Sequence, residues 1–292
     1  MENLKELVKP FLATSGSGCD EQPPLTPEAY EQMKADMYNE SEGDLHESDG
    51  YSCRECRNKG FIAVVQQNEM YGYFSETLIP CRCQRIRSAI HKLNKSGLKN
   101  VVKEYTFDKY QTPDKWQAYI KEMAQKFCGD DLHKWFFIGG QSGAGKSHIC
   151  TAIAVHYIRQ GLATHYMLWR DEIVRIKALV TEPEQYARLM TELKTVPVLY
   201  IDDLFKVGKN AEGKIAQPTA ADVNAAFEII NHRYSDPNLI TIISSERTLN
   251  ELLAIDEATA GRIAERSKDG GYCINLKPDT TRNWRLKGIV EL

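Results

Sequence analysis

Short runs of consecutive apolar residues alternate with helical patterns through the second half of the chain. Three runs, at residues 135–138, 198–201 and 239–243, predict buried strands, because uninterrupted apolar runs are typical of parallel strands covered on both faces. A further strand is expected at 272–276. Over 147–161, apolar residues recur at three- and four-residue spacing up to a glycine, which predicts a helix. The alternation predicts an α/β fold, with a parallel sheet flanked by helices.

The first hundred residues follow a different pattern. Short helices are expected at 2–11 and 27–39, and two β-type runs at 61–66 and 71–79 predict a hairpin. The segment 14–27 is rich in Gly, Ser and Pro, which is typical of a linker. The pattern therefore separates an N-terminal arm and a small β-containing module from the larger α/β region.

Composition and charge refine this division. The chain has 292 residues and is 42% hydrophobic, enough for one large domain and a smaller one. No apolar stretch approaches the roughly 18 to 20 residues of a membrane span, and the N-terminus lacks signal-peptide features, so we expect a cytoplasmic protein. Residues 1–50 carry 12 Asp/Glu against 3 Lys/Arg, whereas the rest carries 28 against 34. The acidity of the chain is therefore local.

A glycine-rich loop joins the first predicted strand to the helix that follows it. Residues 139–147 read Gly-Gly-Gln-Ser-Gly-Ala-Gly-Lys-Ser, which contains the phosphate-binding pattern G-x-x-x-x-G-K-[ST]. Lys146 supplies positive charge to the outer phosphates and Ser147 offers a hydroxyl to Mg²⁺, so the loop predicts binding of ATP with Mg²⁺. The predicted nucleotide contacts in this loop are Gly140, Ser142, Gly143, Ala144, Gly145, Lys146, Ser147 and His148.

Two acidic residues, Asp202 and Asp203, end the second apolar run. The carboxyl ends of parallel strands present such side chains to a ligand. We expect Asp202 to hold Mg²⁺ through water and Asp203 to orient or deprotonate the attacking water. The third apolar run also ends in polar residues, of which Ser245 or Glu246 is expected to hydrogen-bond the water or the γ-phosphate; Ser245 is the preferred candidate.

Arginines further along the chain are candidates for contacts with the transferring phosphate. Arg262 and Arg266 lie on a predicted short helix at 260–266 and could complete the site of a neighbouring subunit, with Arg262 preferred. Ion pairing at the surface is the alternative for both. Arg282 or Arg285 could contact phosphate within the same subunit, and Arg285 is preferred.

Four cysteines have a spacing typical of metal ligands. Cys53 and Cys56 form a C-x-x-C pair, and Cys81 and Cys83 form a C-x-C pair 24 residues later. In a reducing compartment four thiolates suit tetrahedral Zn²⁺ better than disulfides, which predicts a zinc ribbon with a hairpin between the pairs. Reduced structural cysteines and an iron–sulfur cluster are the alternatives. The cysteines expected in the core or the linker are Cys19, Cys128, Cys150 and Cys273.

The segment 82–103 carries seven Lys/Arg and no acid. It could be a solvated helix face. Alternatively, it could be a basic surface for nucleic-acid phosphates or for an acidic partner.

The order of these motifs resembles the AAA+ ATPases and, within them, the DnaC/DnaI-type replicative helicase loaders of bacteria and phages. The resemblance covers roughly residues 50–292. The motifs that carry it are the cysteine ribbon with Pro80–Gln84, Tyr105–Tyr110, the phosphate-binding loop, Tyr200–Lys206, Ser244–Arg247, Gly261–Arg266 and Asn283–Leu286.

The resemblance implies three domains: an acidic arm and linker at 1–50, a zinc-binding, helicase-interacting domain at 51–100 and an AAA+ domain at 101–292. Only 16 residues follow Leu276, so no C-terminal helical lid is expected. Asp203 stands where many AAA+ proteins have Glu, which implies slow hydrolysis that a partner or DNA stimulates.

The implied function is ATP-dependent loading of a hexameric replicative helicase onto single-stranded DNA during replication. A trans arginine implies a homo-oligomer assembled head to tail. Three residues past the acidic pair, Phe205, Lys206 and Lys209, are candidates for contact with single-stranded DNA. Two alternatives stay open: an IstB-type transposition helper ATPase that acts on duplex DNA with a transposase, and a DNA-binding regulatory module switched by ATP occupancy alone.

Overall fold

A computed structural model describes four stretches of the chain, residues 25–95, 100–130, 135–208 and 216–284. These residues form two compact units, a smaller one from 25–41 with 62–79 and a larger one from 42–61 with the described residues after 79. In the stretches described, no helix has both the length and the apolar character that crossing a bilayer requires. The domain boundaries at 50 and 100 that the sequence suggests remain a proposal.

The smaller unit consists of one helix and a two-stranded sheet. Its elements are helix α1 (Pro27–Glu40) and strands β1 (Phe61–Gln67) and β2 (Phe74–Pro80). The side-chain amide of Asn39 donates to the carbonyl of Ala63 at 2.8 Å and accepts from its N–H at 2.9 Å. Glu31 accepts a hydrogen bond from the N–H of Glu76 at 3.0 Å. Polar side chains of α1 thus satisfy backbone groups of both strands. The helix predicted at 27–39 and the hairpin are confirmed, whereas the helix predicted at 2–11 lies outside the described residues.

The larger unit is built on a five-stranded parallel sheet, in the order β4-β5-β6-β3-β7. Its strands are β3 (Trp135–Gly140), β4 (Thr164–Leu168), β5 (Val198–Asp202), β6 (Ile240–Ser245) and β7 (Cys273–Leu276). Strand β3, which leads into the phosphate-binding loop, pairs with β6 on one side and β7 on the other. All strands run the same way, so their carboxyl ends lie along one edge, where ligands bind in such sheets.

Helices cover this sheet, as the sequence predicts. The helices of the larger unit, in the part of the chain that the structure describes, are α2 (Leu45–Asp49), α3 (Cys83–Lys95), α4 (Val101–Glu104), α5 (Lys115–Cys128), α6 (Lys146–Arg159), α7 (Trp169–Ala178), α8 (Pro183–Thr195), α9 (Ala220–Tyr234), α10 (Leu249–Leu253) and α11 (Glu257–Lys268). Single turns of 3₁₀ helix lie at Leu179–Thr181 and Thr280–Arg282.

Successive residues of β3 point to opposite faces of the sheet, and different helices cover the two faces. Phe136 and Ile138 pack in one apolar cluster with residues of α3, α5 and α6. Trp135 and Phe137 pack in a second cluster with residues of α7, α8, α9 and α11. Burial on both faces explains why the strand is an unbroken apolar run in the sequence.

Candidate functional site

The phosphate-binding loop follows β3 and has a backbone that only glycine adopts easily. Gly140, Gly143 and Gly145 have φ angles of 129°, 80° and 79°, in the left-handed region that disfavours side chains. A Cβ at Gly143 would lie 1.9 Å from Oδ1 of Asn283. Helix α6 begins at Lys146, so the loop leads directly into a helix N-terminus, which favours bound anions.

The side chain of Lys146 is buried against this loop. Its Nζ donates to the backbone carbonyl of Gln141 at 2.7 Å. Burial lowers the pKa of Lys146, although the nearby carboxylates of Asp203 and Glu246 act in the opposite direction. A phosphate oxygen in the loop would be a stronger acceptor than this carbonyl, so the lysine fits the phosphate-binding role expected of it.

Asp202, at the carboxyl end of β5, accepts hydrogen bonds from three hydroxyl groups. Ser147 donates to its Oδ1 at 3.1 Å, Ser244 donates to the same oxygen at 2.5 Å, and Tyr166 donates to Oδ2 at 2.9 Å. The structure therefore brings the loop serine and the strand carboxylate together, across 55 residues of sequence. Hydroxyl and carboxylate oxygens are ligands that suit Mg²⁺, directly or through water.

Asp203 lies beside Asp202 in a strained turn. Its φ is 60°, and its backbone N–H donates to the hydroxyl of Ser244 at 3.0 Å. Its Oδ2 accepts from Nζ of Lys206 at 2.8 Å, and the same Nζ lies 3.0 Å from Oε1 of Glu246. Burial raises the pKa of Asp203, whereas the hydrogen bond from Lys206 lowers it. The side chains of Asp203, Glu246 and Lys206 line one cavity.

The cavity has a volume of about 460 Å³, within the usual range for small-molecule sites. The predicted residues that line it are Ser142, Gly143, Ala144, Gly145, Lys146, Ser147, His148 and Asp203. The ring of His148 packs edge-on against Tyr105 and Tyr110, with centroids 5.2 Å and 5.3 Å away. Sequence reasoning assigned no role to the two tyrosines, although the motif Tyr105–Tyr110 could have indicated them as an aromatic wall.

Ser245, the preferred candidate for the γ-phosphate contact, does not line the cavity. Its hydroxyl is fully buried, donates to the carbonyl of Leu204 at 2.8 Å and accepts from the N–H of Arg247 at 3.1 Å. Glu246, the other candidate, lines the cavity. Of the two, the structure therefore brings Glu246 to the site.

The arginine candidates lie in different places. Arg262 packs on the rings of Phe227 and Tyr234, at 5.0 Å and 5.5 Å, and does not line the cavity. Arg266 lies over the ring of Trp135 and is likewise outside the cavity lining. Arg282 lines the cavity, whereas Arg285 lies outside the described residues.

The expectation that Phe205 contacts DNA is wrong. Its side chain is 1% exposed and packs edge-on against Trp169, with ring centroids 5.3 Å apart. A buried ring cannot stack on a base. Lys206 is turned toward the carboxylates, and Lys209 lies outside the described residues.

The four cysteines of the predicted ribbon come together in the larger unit. All four sulfurs are buried and lie within 4.8 Å of one another. The sulfurs of Cys53 and Cys81 are 3.8 Å apart, and those of Cys56 and Cys83 are 3.5 Å apart. Four sulfurs at about 2.3 Å from a tetrahedral Zn²⁺ would be about 3.8 Å from one another, so the spacing fits this ion.

The turn after the first cysteine pair orients the sulfurs. Arg57, Asn58 and Gly60 have φ angles of 47°, 66° and 81°, and the N–H of Gly60 donates to the sulfur of Cys56 at 3.2 Å. Gly60 therefore turns the backbone beneath the sulfurs. Burial raises the pKa of the Cys83 thiol to about 11, so a bound cation would favour its thiolate form.

The remaining cysteines lie apart from this cluster. Cys150 is buried in the core, and Cys128 and Cys273 are partly buried. Cys19 lies outside the described residues.

Comparison with known families agrees with the nucleotide-binding geometry. A family model described as "IstB-like ATP binding protein" matches residues 70–282, well over half of the chain. The chain belongs to the IstB-like ATP-binding family. The match spans the phosphate-binding loop and the acidic pair, and the family it names binds ATP.

Curated relatives of this IstB-like protein include two from Bacillus subtilis strain 168. The phage-like element PBSX protein XkdC is 29% identical over 253 residues, covering 82% of this chain and 88% of XkdC. The uncharacterized protein YqaM is 30% identical over 220 residues, covering 70% of this chain and 66% of YqaM, just under two thirds of its length.

Solved structures give weaker similarities. The structure of DnaI is 19% identical with a TM-score of 0.45, covering 62% of this chain and 92% of DnaI. The DnaC helicase loader is 21% identical with a TM-score of 0.44, covering 60% and 96%. The replication initiator DnaA, bound to AMPPCP and single-stranded DNA, is 19% identical with a TM-score of 0.47, and the match covers 61% of this chain and about half, 51%, of DnaA. TM-scores below 0.5 establish neither a shared fold nor a shared function.

Proposed function

We propose that this IstB-like protein is an ATPase that loads a hexameric replicative helicase onto single-stranded DNA in the cytoplasm. The observation that carries the proposal is the junction of the phosphate-binding loop with the acidic pair, where the hydroxyl of Ser147 donates to Asp202 at 3.1 Å. In this arrangement Ser147 and Asp202 would hold Mg²⁺, and Lys146 would contact the outer phosphates. When bound, Mg²⁺ neutralises charge on the phosphates.

Hydrolysis requires a group that acts on the attacking water, and Asp203 is the candidate. Its carboxylate faces the cavity beside Lys206 and Glu246, one residue after the carboxylate proposed for Mg²⁺. A buried carboxylate of this kind can orient water or accept its proton. An aspartate reaches less far than the glutamate of many related ATPases, which supports slow turnover that a partner or DNA accelerates.

The smaller unit supports the assignment of a protein partner. Tyr30, Met33 and Met37 on α1 are 50%, 42% and 58% exposed, and their spacing places them on one face of the helix. Large exposed apolar side chains grouped on one face are typical of protein interfaces. In a loader of the type that the sequence resembles, this face of α1 would contact the helicase together with the segment 51–100 to which the resemblance assigns that role.

A second function is favoured by the family match. Its description names IstB, so a transposition helper that acts on duplex DNA with a transposase would share the same ATPase core. The name of XkdC places that relative in a phage-like element, which supports a role in mobile DNA under either function. The two functions differ in the partner protein and in the DNA.

A loading assay with a hexameric replicative helicase and circular single-stranded DNA separates them. We expect ATP-dependent transfer of the helicase to the circles, which Lys146→Ala abolishes together with ATP binding. Combined Tyr30→Ser and Met37→Ser changes should abolish association with the helicase but leave ATP binding intact. Val180→Ser, at a residue 64% exposed in the other unit, is the matched control and should have no effect.

Two results would overturn the loader proposal. One is absence of association between the wild-type chain and the helicase. The other is ATP-dependent binding of duplex DNA with stimulation of a transposase, which would establish the IstB-type function instead. An Asp203→Asn variant that does not hydrolyse ATP tests the third alternative. If this variant still binds DNA only when ATP is present, ATP binding alone operates the switch.

A further inference from the structure

Lys206 lies between two carboxylates at the rim of the nucleotide cavity. We propose that it is a positioning residue of the ATPase site, which holds Asp203 and Glu246 in place for hydrolysis. Its Nζ lies 2.8 Å from Oδ2 of Asp203 and 3.0 Å from Oε1 of Glu246. The inference rests on the proposed ATPase function, and it adds a residue outside the phosphate-binding loop and the acidic pair.

The backbone fixes Lys206 in this place. The N–H of Leu204 donates to the carbonyl of Ser244 at 2.8 Å, and the N–H of Lys206 donates to the carbonyl of Asp203 at 2.9 Å. The ring of Phe205 is buried against Trp169, directly before the lysine. The turn is therefore tied to β6 and anchored in the core, so it delivers the side chain of Lys206 to the cavity.

This turn also contains strain that ordinary loops avoid. Asp203 and Phe205 both adopt left-handed φ angles, 60° and 58°, although neither is glycine. Such conformations persist only where the surroundings impose them, and they concentrate at functional sites. The two strained residues precede Lys206 in the turn that places its side chain between the carboxylates.

The contacts of Lys206 connect the two halves of the site. Glu246 accepts a hydrogen bond from Ser142 in the phosphate-binding loop and pairs with Lys206. Lys206 in turn engages one oxygen of Asp203, which leaves Oδ1 as the oxygen that can accept a hydrogen bond from water. The positive charge also offsets the repulsion between the two carboxylates and a triphosphate. Without it, Asp203 would lose its fixed orientation.

The test compares steady-state ATP hydrolysis and ATP affinity in the full chain. Lys206→Met should lower kcat about tenfold or more and change the Kd for ATP less than about threefold, because positioning affects the reacting geometry more than binding. Lys206→Arg should recover part of kcat, since it keeps the charge. Lys194→Met is the matched control, because this lysine also pairs with a carboxylate, that of Glu228, but does not line the cavity.

A double variant makes the test independent of general damage to the fold. If Lys206 acts through Asp203, the double variant Lys206→Met/Asp203→Asn should have nearly the same kcat as Asp203→Asn alone. If the two residues act independently, the fold losses of kcat in the two single variants would multiply in the double variant. Unchanged kcat in Lys206→Met, multiplicative loss in the double variant, or an equal loss of ATP affinity would overturn the proposal. A different result would overturn the proposed ATPase function itself. If the wild type hydrolyses ATP no faster than Lys146→Ala does, that function fails, and the role of Lys206 fails with it.

Discussion

Arg233 is a charged side chain with no exposed surface, and its guanidinium donates hydrogen bonds to five oxygens. The acceptors are the carbonyls of Leu193, Lys194, Val196 and Ile240 and the hydroxyl of Thr241. Three of these carbonyls lie at or just after the end of α8, where a helix leaves acceptors without partners of its own. Burial lowers the pKa of Arg233 to about 9, so it remains charged at neutral pH.

Replacing this arginine should therefore destabilise the larger unit. Arg233→Met leaves several buried carbonyls without donors, and we expect a loss of about 3 kcal/mol or more in the free energy of unfolding. Urea denaturation followed by circular dichroism measures this. Arg188→Met, on the exposed surface of α8, should change stability by less than about 0.5 kcal/mol. Equal midpoints for the two variants would contradict the structural role assigned to Arg233.

Individual side chains at the ends of strands were the least predictable part of the site. The sequence indicates that β6 ends in polar residues, but neighbours in a strand point to opposite faces. Ser244 turns to Asp202, Ser245 turns back to a backbone carbonyl, and only Glu246 reaches the cavity. Phe205 was mistaken for an exposed ring for a similar reason, because a left-handed turn directs it into the core.

At the scale of elements, the strands that the sequence predicts best are those that consist of continuous apolar residues. Strands β3 and β5 are continuous apolar runs and are confirmed close to their predicted bounds. Strand β4 was missed because it begins with Thr164 and His165, which look like loop residues. The structure buries His165 and pairs its Nδ1 with Oε1 of Glu192 on α8 at 2.8 Å. A buried polar side chain whose hydrogen-bond partner is distant in sequence is invisible to a pattern of apolar positions.

The helix that begins at the cysteine cluster is also part of the apolar core around the sheet. Cys83 is the first residue of α3, and Ile86, Ile90 and Leu93 of the same helix are buried in the apolar cluster that includes strand β3. Helix α3 also contacts the edge strand β4. Because one helix joins the cysteines to the sheet, a metal ion held by the cysteines would affect the stability of the sheet.

We therefore expect Cys56→Ser to weaken the whole larger unit rather than the ribbon alone. Loss of a bound Zn²⁺ removes folding free energy, so thermal unfolding should occur at lower temperature and hydrogen exchange should accelerate in α3 and β4. Cys128→Ser, which leaves the cluster intact, should cost about 1 kcal/mol or less. A purified protein without stoichiometric zinc, whose unfolding is unchanged in Cys56→Ser, would contradict the metal site.

At the scale of the whole molecule, the question is whether a neighbouring chain supplies an arginine to the site, as the sequence suggests for Arg262 or Arg266. Arg262 packs on aromatic rings of α9 outside the cavity, and among the described residues Arg282 is the arginine that lines it. If Arg262 acts in trans, the active form is an assembly through a head-to-tail interface. Turnover per chain should then rise with protein concentration.

Mixing two inactive variants tests this assembly. The Arg262→Ala subunit keeps a complete phosphate-binding loop, and the Lys146→Ala subunit keeps Arg262. In a mixed assembly, some interfaces therefore join an intact loop of one subunit to the intact arginine of its neighbour. In an equal random mixture about a quarter of the interfaces would be complete, and ATPase activity should recover to about that fraction of the wild type. Arg266→Ala mixed in the same way tests the other candidate. If Arg262→Ala instead loses ATP affinity, or if no mixture recovers activity, the arginine does not act on a neighbouring site.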